Sequence, residues 1–342
     1  MHAIVAFGEI MLRLTPPDLL RLIQTQSYTV TFGGAEANVA IALARFGHRA
    51  EYVTRLPAHD LGEAVLMYLR QYGVGVEHVA RGGDRLGVYF VEQGAAQRGG
   101  KVIYDRARSS AAELQPGMLD WRAIFTAADT DWFHWTGITP ALTESAAATC
   151  REAIGIAREL GLTISCDLNY RHALWKWGKT SAEVMPDLVA QSDVVVGNTE
   201  TVHTMFGLKP RDPAADLIDQ NRDVAEQLAE RCPQLKTIAF TTRASHSASH
   251  NTWSAVLWQR GQFYTGTSYD LTPIVDRVGA GDAFTAGLIY GLRQHPENPA
   301  YALNFATAAG CLKHTIPGDA LLVSVEEVEQ LMSGDSSGKI RR

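Results

Sequence analysis

Cysteine is scarce in this 342-residue chain, with four residues at Cys150, Cys166, Cys232 and Cys311. No two of them form a C-x-x-C pair, which excludes a zinc knuckle and a thioredoxin-like motif. Scattered thiols in a chain this long fit buried cysteines in a reducing compartment, not a disulfide framework. Long apolar runs are missing too. None approaches the ~20 residues that span a bilayer, and Gly8 and Glu9 interrupt the opening segment before a signal-peptide core develops. Excess charge is small, with Lys+Arg 31 against Asp+Glu 37 and a formal net charge of −6. Such a surface offers no general attraction for nucleic acid or anionic lipid. Neither is expected as a partner, and the expected location is the cytoplasm. What remains is 46% hydrophobic and 20% charged, an ordinary globular composition with ample material for a core.

Short apolar runs alternate with amphipathic stretches. Residues 3–7 read as a buried strand ending at Gly8, and residues 12–32, containing Pro16-Pro17, as a loop and a hairpin arm. A small-residue helix is expected over 38–44, a strand over 50–54 and a helix over 61–72. Residues 86–91 and 101–105 read as a second arm around a glycine-containing turn. Further strands are expected at 163–166, 193–196 and 236–241, with helices at 144–160 and 223–231. This alternation predicts an α/β fold, a mainly parallel sheet covered on both faces, with ligands beyond the carboxyl ends of its strands. Polar residues trail those strands, among them Asp167-Leu168-Asn169-Tyr170-Arg171, Gly197-Asn198-Thr199-Glu200 and Thr242-Arg243. Trp132, Trp135, Trp175 and Trp177 are expected to pack structurally, with sugar stacking as the lesser alternative.

The most informative stretch is Asp276-Arg277-Val278-Gly279-Ala280-Gly281-Asp282-Ala283-Phe284, ahead of an almost uncharged helix. Glycines on either side of Ala280 allow a ligand close to the backbone. A helix starting there turns unpaired N–H groups and its positive end outward, an anion hole suited to a phosphoryl group in flight. Asp282 at its mouth has the chemistry to take a proton from an attacking hydroxyl. The plainer alternative is a helix-capping Asp after a tight turn. A second glycine pair, Gly33-Gly34, precedes Asn38 at a helix start and fits close approach to a polyol, or a simple strand-to-helix turn. Apparent nucleotide and metal motifs fail on inspection. Gly178-Lys179-Thr180 lacks the leading glycine of a phosphate loop, with Ala173 in its place, and His246 and His250 enclose no glutamate.

Taken jointly, Gly33, Gly34 and Asn38 at one end and residues 276–284 at the other resemble the two signatures of the PfkB family of carbohydrate kinases. The resemblance runs from residue 4 to about residue 328 and departs from the C-terminal signature at Arg277, where the family has Thr. It implies a ribokinase-like fold over residues 1–332, with lid segments at 12–32 and 86–106 and a tail at 333–342. It also implies ATP with Mg²⁺ as phosphoryl donor and a homo-oligomer joined through the β lid. Asp282 would be the general base, with Gly279, Ala280 and Gly281 holding the transferring group. Within the family the likeness is to kinases of 2-keto-3-deoxygluconate. In those terms Tyr89, Tyr104, Arg106, Arg171 and Asp319 would bind substrate beside Gly33, Gly34 and Asn38. Arg106 and Arg171 would supply guanidinium groups to a carboxylate. Asn169, Arg171, Asn198, Thr242, Arg243, Gly279 and Gly281 would face ATP. Glu200 would serve Mg²⁺, although the family's Asn-x-x-Glu spacing is one residue short here and Thr201 fills that slot. Asp276 would help hold a monovalent cation such as K⁺. Another sugar kinase of fructokinase or ribokinase type, and a sugar-binding regulator without turnover, are the alternatives.

Overall fold

The Ala3–Phe7 strand is buried along its whole length and lies between two parallel neighbours, Ala50–Val53 and Thr130–Thr136. Its five residues are all apolar, as a strand covered on both faces requires. The computed structural model describes residues 2–334. Parallel pairing continues from Thr130–Thr136 through Thr163–Asp167 and Val194–Gly197 to Thr237–Ser247. Three antiparallel strands, His250–Gln259, Gln262–Thr265 and Tyr269–Leu271, complete a nine-stranded sheet. Helices cover both faces and divide the core in two. One half packs the Ala35–Arg45, Ala280–Gln294 and Pro299–Lys313 helices, and the other packs Trp121–Ala127, Glu144–Glu159, Ser181–Val189 and Leu217–Arg231. The expected α/β architecture, mainly parallel and sandwiched by helices, is the one observed.

Two boundaries moved. The helix expected at 223–231 begins at Leu217, capped by Asp216, whose carboxylate accepts from the Asp219 N–H at 2.9 Å. The strand expected to stop at Thr241 runs on to Ser247, because residues 242–247 pair with His250–Gln259 instead of looping. The turn of this hairpin reaches the lid, where the Ala248 N–H donates to the Ala96 carbonyl at 2.7 Å.

The lid is a separate four-stranded sheet in the order Thr29–Gly33, Met11–Thr15, Val88–Glu92, Lys101–Asp105. Residues 11–15, expected as part of an irregular loop, form one of its two inner strands. Register sorts its side chains by face. Val30, Leu14, Phe90 and Ile103 stand in one row, and Thr31, Arg13, Tyr89 and Tyr104 in the adjacent row. Successive residues of a strand point to opposite faces, so the first row is the apolar outer surface and the second faces the main body. The expected tail from residue 333 lies, from residue 335 onward, outside the described residues.

Candidate active site

The carboxyl ends of the parallel strands and the inner face of the lid enclose a cleft of about 1250 Å³. Its floor is the start of the Ala280–Gln294 helix. Gly279 caps that helix with φ 84°, a left-handed conformation natural to glycine. A side chain there would also strike the Asp319 carbonyl, 1.9 Å from the Cβ position. Gly281 differs, with nothing within 4 Å of its Cβ position, so the space it leaves belongs to the cleft. Gly279→Ala should therefore lower Tm by several degrees and kcat by about tenfold, the usual scale for strain at such a residue. Gly281→Ala should leave Tm within about 1 °C yet weaken ATP binding. Thermal melts alongside steady-state kinetics check both.

Asp282 stands at the first turn of that helix and lines the cleft. Asn38, expected to touch substrate, lines the cleft and donates from Nδ2 to Asp282 Oδ2 at 2.7 Å. It orients the carboxylate, and its own Oδ1 has no partner among the described residues. Burial pushes the Asp282 carboxyl up to about 7, against the pull of Asn38, with Asp167 and Asp319 adding repulsion. Burial likewise raises Asp167 to about 6 and Glu36 to about 7. The Glu36 carboxylate is held by the hydroxyls of Thr136 at 2.7 Å and Thr139 at 3.1 Å. A carboxylate that titrates near neutrality and stands beside an anion hole is well matched to proton abstraction at physiological pH.

On the lid side, Tyr89 and Tyr104 stack with ring centroids 5.8 Å apart, and both line the cleft. Arg106 is only 8% exposed. Its Nε and Nη2 bind Glu9 Oε2, the former at 2.7 Å, and Ser109 holds the other Glu9 oxygen. Two nitrogens engaged by Glu9 leave Nη1 as the donor for a ligand. Tyr89 donates to Asp319 at 2.7 Å beneath Gly33, where any side chain would collide with both.

Across the cleft, Arg171 is exposed, donates to the Tyr170 carbonyl at 3.0 Å and makes no ion pair with Asp167. Asn169 follows the Thr163–Asp167 strand with φ 36° and its N–H bonded to Asp167 at 3.0 Å. Asn198 caps the Thr199–Phe206 helix by accepting the Thr201 N–H at 2.8 Å, while Glu200 is exposed on its first turn. All four residues line the cleft. Arg243 lines it as well, but Thr242 does not, because alternation along the extended hairpin turns it away. Arg277 clamps the hairpin turn, donating to the Ala248 carbonyl at 2.8 Å, and it too borders the cleft. The substitution of Arg for Thr thus adds a second guanidinium beside Arg243. Burial and that like charge both depress the Arg243 pKa.

Asp276 is the clearest correction. It is buried, outside the cleft lining, and both its oxygens are engaged: by Arg13, by the Val278 N–H at 3.0 Å and by the Gly318 N–H at 3.1 Å. Its negative charge is already met by a guanidinium, so the residues do not fit a monovalent cation there. Glu9, Arg13 and Glu36 were not singled out in the sequence. Their one local signal is charge inside an apolar stretch, which does not say which cavity the side chain enters.

The family model of pfkB carbohydrate kinases matches residues 1–324. The chain belongs to that family. A 2-dehydro-3-deoxygalactonokinase of Haloferax volcanii is 33% identical over 98% of both chains. A 2-dehydro-3-deoxygluconokinase of Thermoproteus tenax is 29% identical, over 97% of this chain and 94% of that one. The crystal structure of a 2-dehydro-3-deoxygluconokinase from Thermotoga maritima superposes with a TM-score of 0.91 at 43% identity, covering 97% of this chain and 98% of that one. The fold of this carbohydrate kinase is accordingly ribokinase-like. No helix among the described residues is long and apolar enough to cross a membrane.

Proposed function

We propose that this kinase transfers the γ-phosphoryl group of ATP to the primary hydroxyl of 2-dehydro-3-deoxygluconate (2-keto-3-deoxygluconate), giving the 6-phospho acid. The observation that carries the reading is Arg106, a buried guanidinium on the sugar side of a cleft whose opposite side holds the phosphate-type cations. Glu9 engages two of the Arg106 nitrogens, and a sugar acid offers the remaining Nη1 a carboxylate that a neutral sugar does not. Names of full-length relatives that act on 2-dehydro-3-deoxy sugar acids point the same way.

In this reading Tyr89 and Tyr104 border the open-chain acid and Arg106 meets its carboxylate. Asp282 removes the proton from the attacking hydroxyl as the main-chain N–H groups of residues 280–282 receive the phosphoryl oxygens. Asn38 keeps the Asp282 oxygen aimed. Arg243, Arg277 and Arg171 draw the polyphosphate in, with Asn169 and Asn198 beside it. Glu200, the exposed carboxylate on that wall, would help hold the Mg²⁺ that accompanies ATP, an ion that usually keeps several waters and phosphate ligands. Bound there, the ion would neutralise charge on the phosphates. The lid excludes water, the competing acceptor.

A screen of ADP release over neutral sugars, nucleosides and 2-dehydro-3-deoxy acids tests the substrate. The gluconate-derived acid should lead, and a higher kcat/KM for fructose or ribose would refute the assignment. Both C4 epimers belong in that screen, since relatives named for each are found.

The outer lid row, Val30 at 57% and Ile103 at 42% exposure beside Leu14 and Phe90, is apolar and contiguous. We propose that a second copy of the chain covers it. Light scattering after size exclusion should give a dimer or a higher oligomer, and Ile103→Glu should dissociate it. A monomeric wild type at micromolar concentration would dismiss this arrangement.

A further inference from the structure

Behind the anion hole lies a closed set of charges that the chemistry above does not use. Arg13, on the Met11–Thr15 lid strand, is 1% exposed. Its Nη1 binds Asp319, its Nη2 binds Asp276 and its Nε donates to Thr15 Oγ1 at 2.9 Å. Both carboxylate partners are wired to the phosphoryl site. Asp276 holds the turn through the Val278 N–H, one residue before Gly279. It also holds the Gly318 N–H, and Asp319 follows directly. The Asp319 carbonyl occupies the space beside Gly279, while its carboxylate takes the Tyr89 hydroxyl. Lys313, fully buried at the end of the Pro299–Lys313 helix, donates to the Ile316 carbonyl at 2.9 Å. Burial lowers the Lys313 pKa, and Asp276 and Asp319 act against that.

The electrostatic logic is direct. An anion hole backed by two bare carboxylates would repel the group it must stabilise, since opposing charges a few ångströms away act strongly in a water-poor interior. A fixed guanidinium shared between the two carboxylates offsets half of that charge and bonds to both. Its planar fork also sets the geometry of both carboxylates at once, which a spherical ion does not do. Because removing one member of a buried ion pair is costly, this lid strand cannot lift away freely. The 276–281 turn, the 318–319 loop and the sugar-facing Tyr89 therefore move as one body.

We propose that Arg13 is a positioning residue for phosphoryl transfer, a built-in cation that holds the anion-hole turn in place and makes a diffusible monovalent cation unnecessary. This rests on residues 279–282 being the phosphoryl site, an assignment tested separately by Asp282→Asn.

The wild-type enzyme, assayed with ATP, Mg²⁺ and whichever sugar acid it turns over, should give the same kcat within about twofold in K⁺, Na⁺ or tetramethylammonium buffers of equal ionic strength. Arg13→Met should lower kcat by at least about tenfold, with KM for both substrates within about threefold, the pattern of a lost transition-state interaction. About 20 mM guanidinium chloride, far below denaturing concentrations, should recover a good part of that kcat and leave the wild type unchanged. A merely structural arginine would lose kcat only in step with Tm and would gain nothing from guanidinium. Strong K⁺ stimulation of the wild type overturns the proposal, and so does a folded Arg13→Met enzyme of near-normal kcat or one that guanidinium does not help. Should Arg13→Met fail to fold, the wild-type cation series decides alone. If Asp282→Asn stays active, the phosphoryl site is misplaced; if it is inactive while Arg13→Met is not, only the role of Arg13 fails.

Discussion

Asp282→Asn is expected to bind ATP and the sugar acid almost normally while kcat falls by about 10²–10⁴, the range for losing a general base. The amide keeps the shape and the contact with Asn38 but cannot accept a proton. In the wild type, kcat/KM should rise with pH through about 7, because only the ionised carboxylate is active, and this acidic limb should vanish in the variant. Stability should move the opposite way. A carboxyl whose folded pKa lies above its ordinary value contributes stability that is complete below that ordinary value and lost as pH rises through the folded one. Asp282 therefore weakens the ligand-free protein above about pH 7. The variant should melt about 2–5 °C higher at pH 8 and about the same as wild type near pH 4. Near-normal turnover in the variant would remove Asp282 from the mechanism, whatever its melting behaviour.

Arg106→Ala should cut kcat/KM for the sugar acid by about 10²-fold, the loss expected when a buried partner of a charged ligand group is removed. A neutral sugar serving as a poor substrate should be affected far less. Tm should fall as well, since Glu9 stays buried with only Ser109 to hold it. The two effects separate in Glu9→Gln/Arg106→Ala. That double variant should regain much of the Tm and none of the acid preference. Equal losses on acid and neutral sugar would show that Arg106 serves the fold and not the carboxylate.

The parts legible in sequence are those whose signal is local. Apolar runs marked the parallel strands, and two glycine signatures far apart in the chain marked the floor and the wall of the cleft. Residues 242–247 read as polar residues trailing a strand, because a run of small and polar residues describes a loop and an edge hairpin equally well; only pairing with His250–Gln259 decides. Asn38 borders the cleft, but its bond to Asp282 from the other end of the chain has no local signal in the sequence. Asp276 was assigned to a cation for the same kind of reason. Its partner, Arg13, lies 263 positions away in sequence, and no spacing rule links them. Side chains on the lid were placed on the correct segments, but burial of Arg106 against Glu9 depends on how the lid meets the first strand.

All four thiols are buried under the helices and sheets. The native enzyme should therefore tolerate maleimides, and a single cysteine introduced at an exposed position of the lid segment such as Ser27 would be the one site that reacts. A dye carried there would report on the surroundings of the lid as ligands bind, without any prior removal of endogenous sulfhydryls.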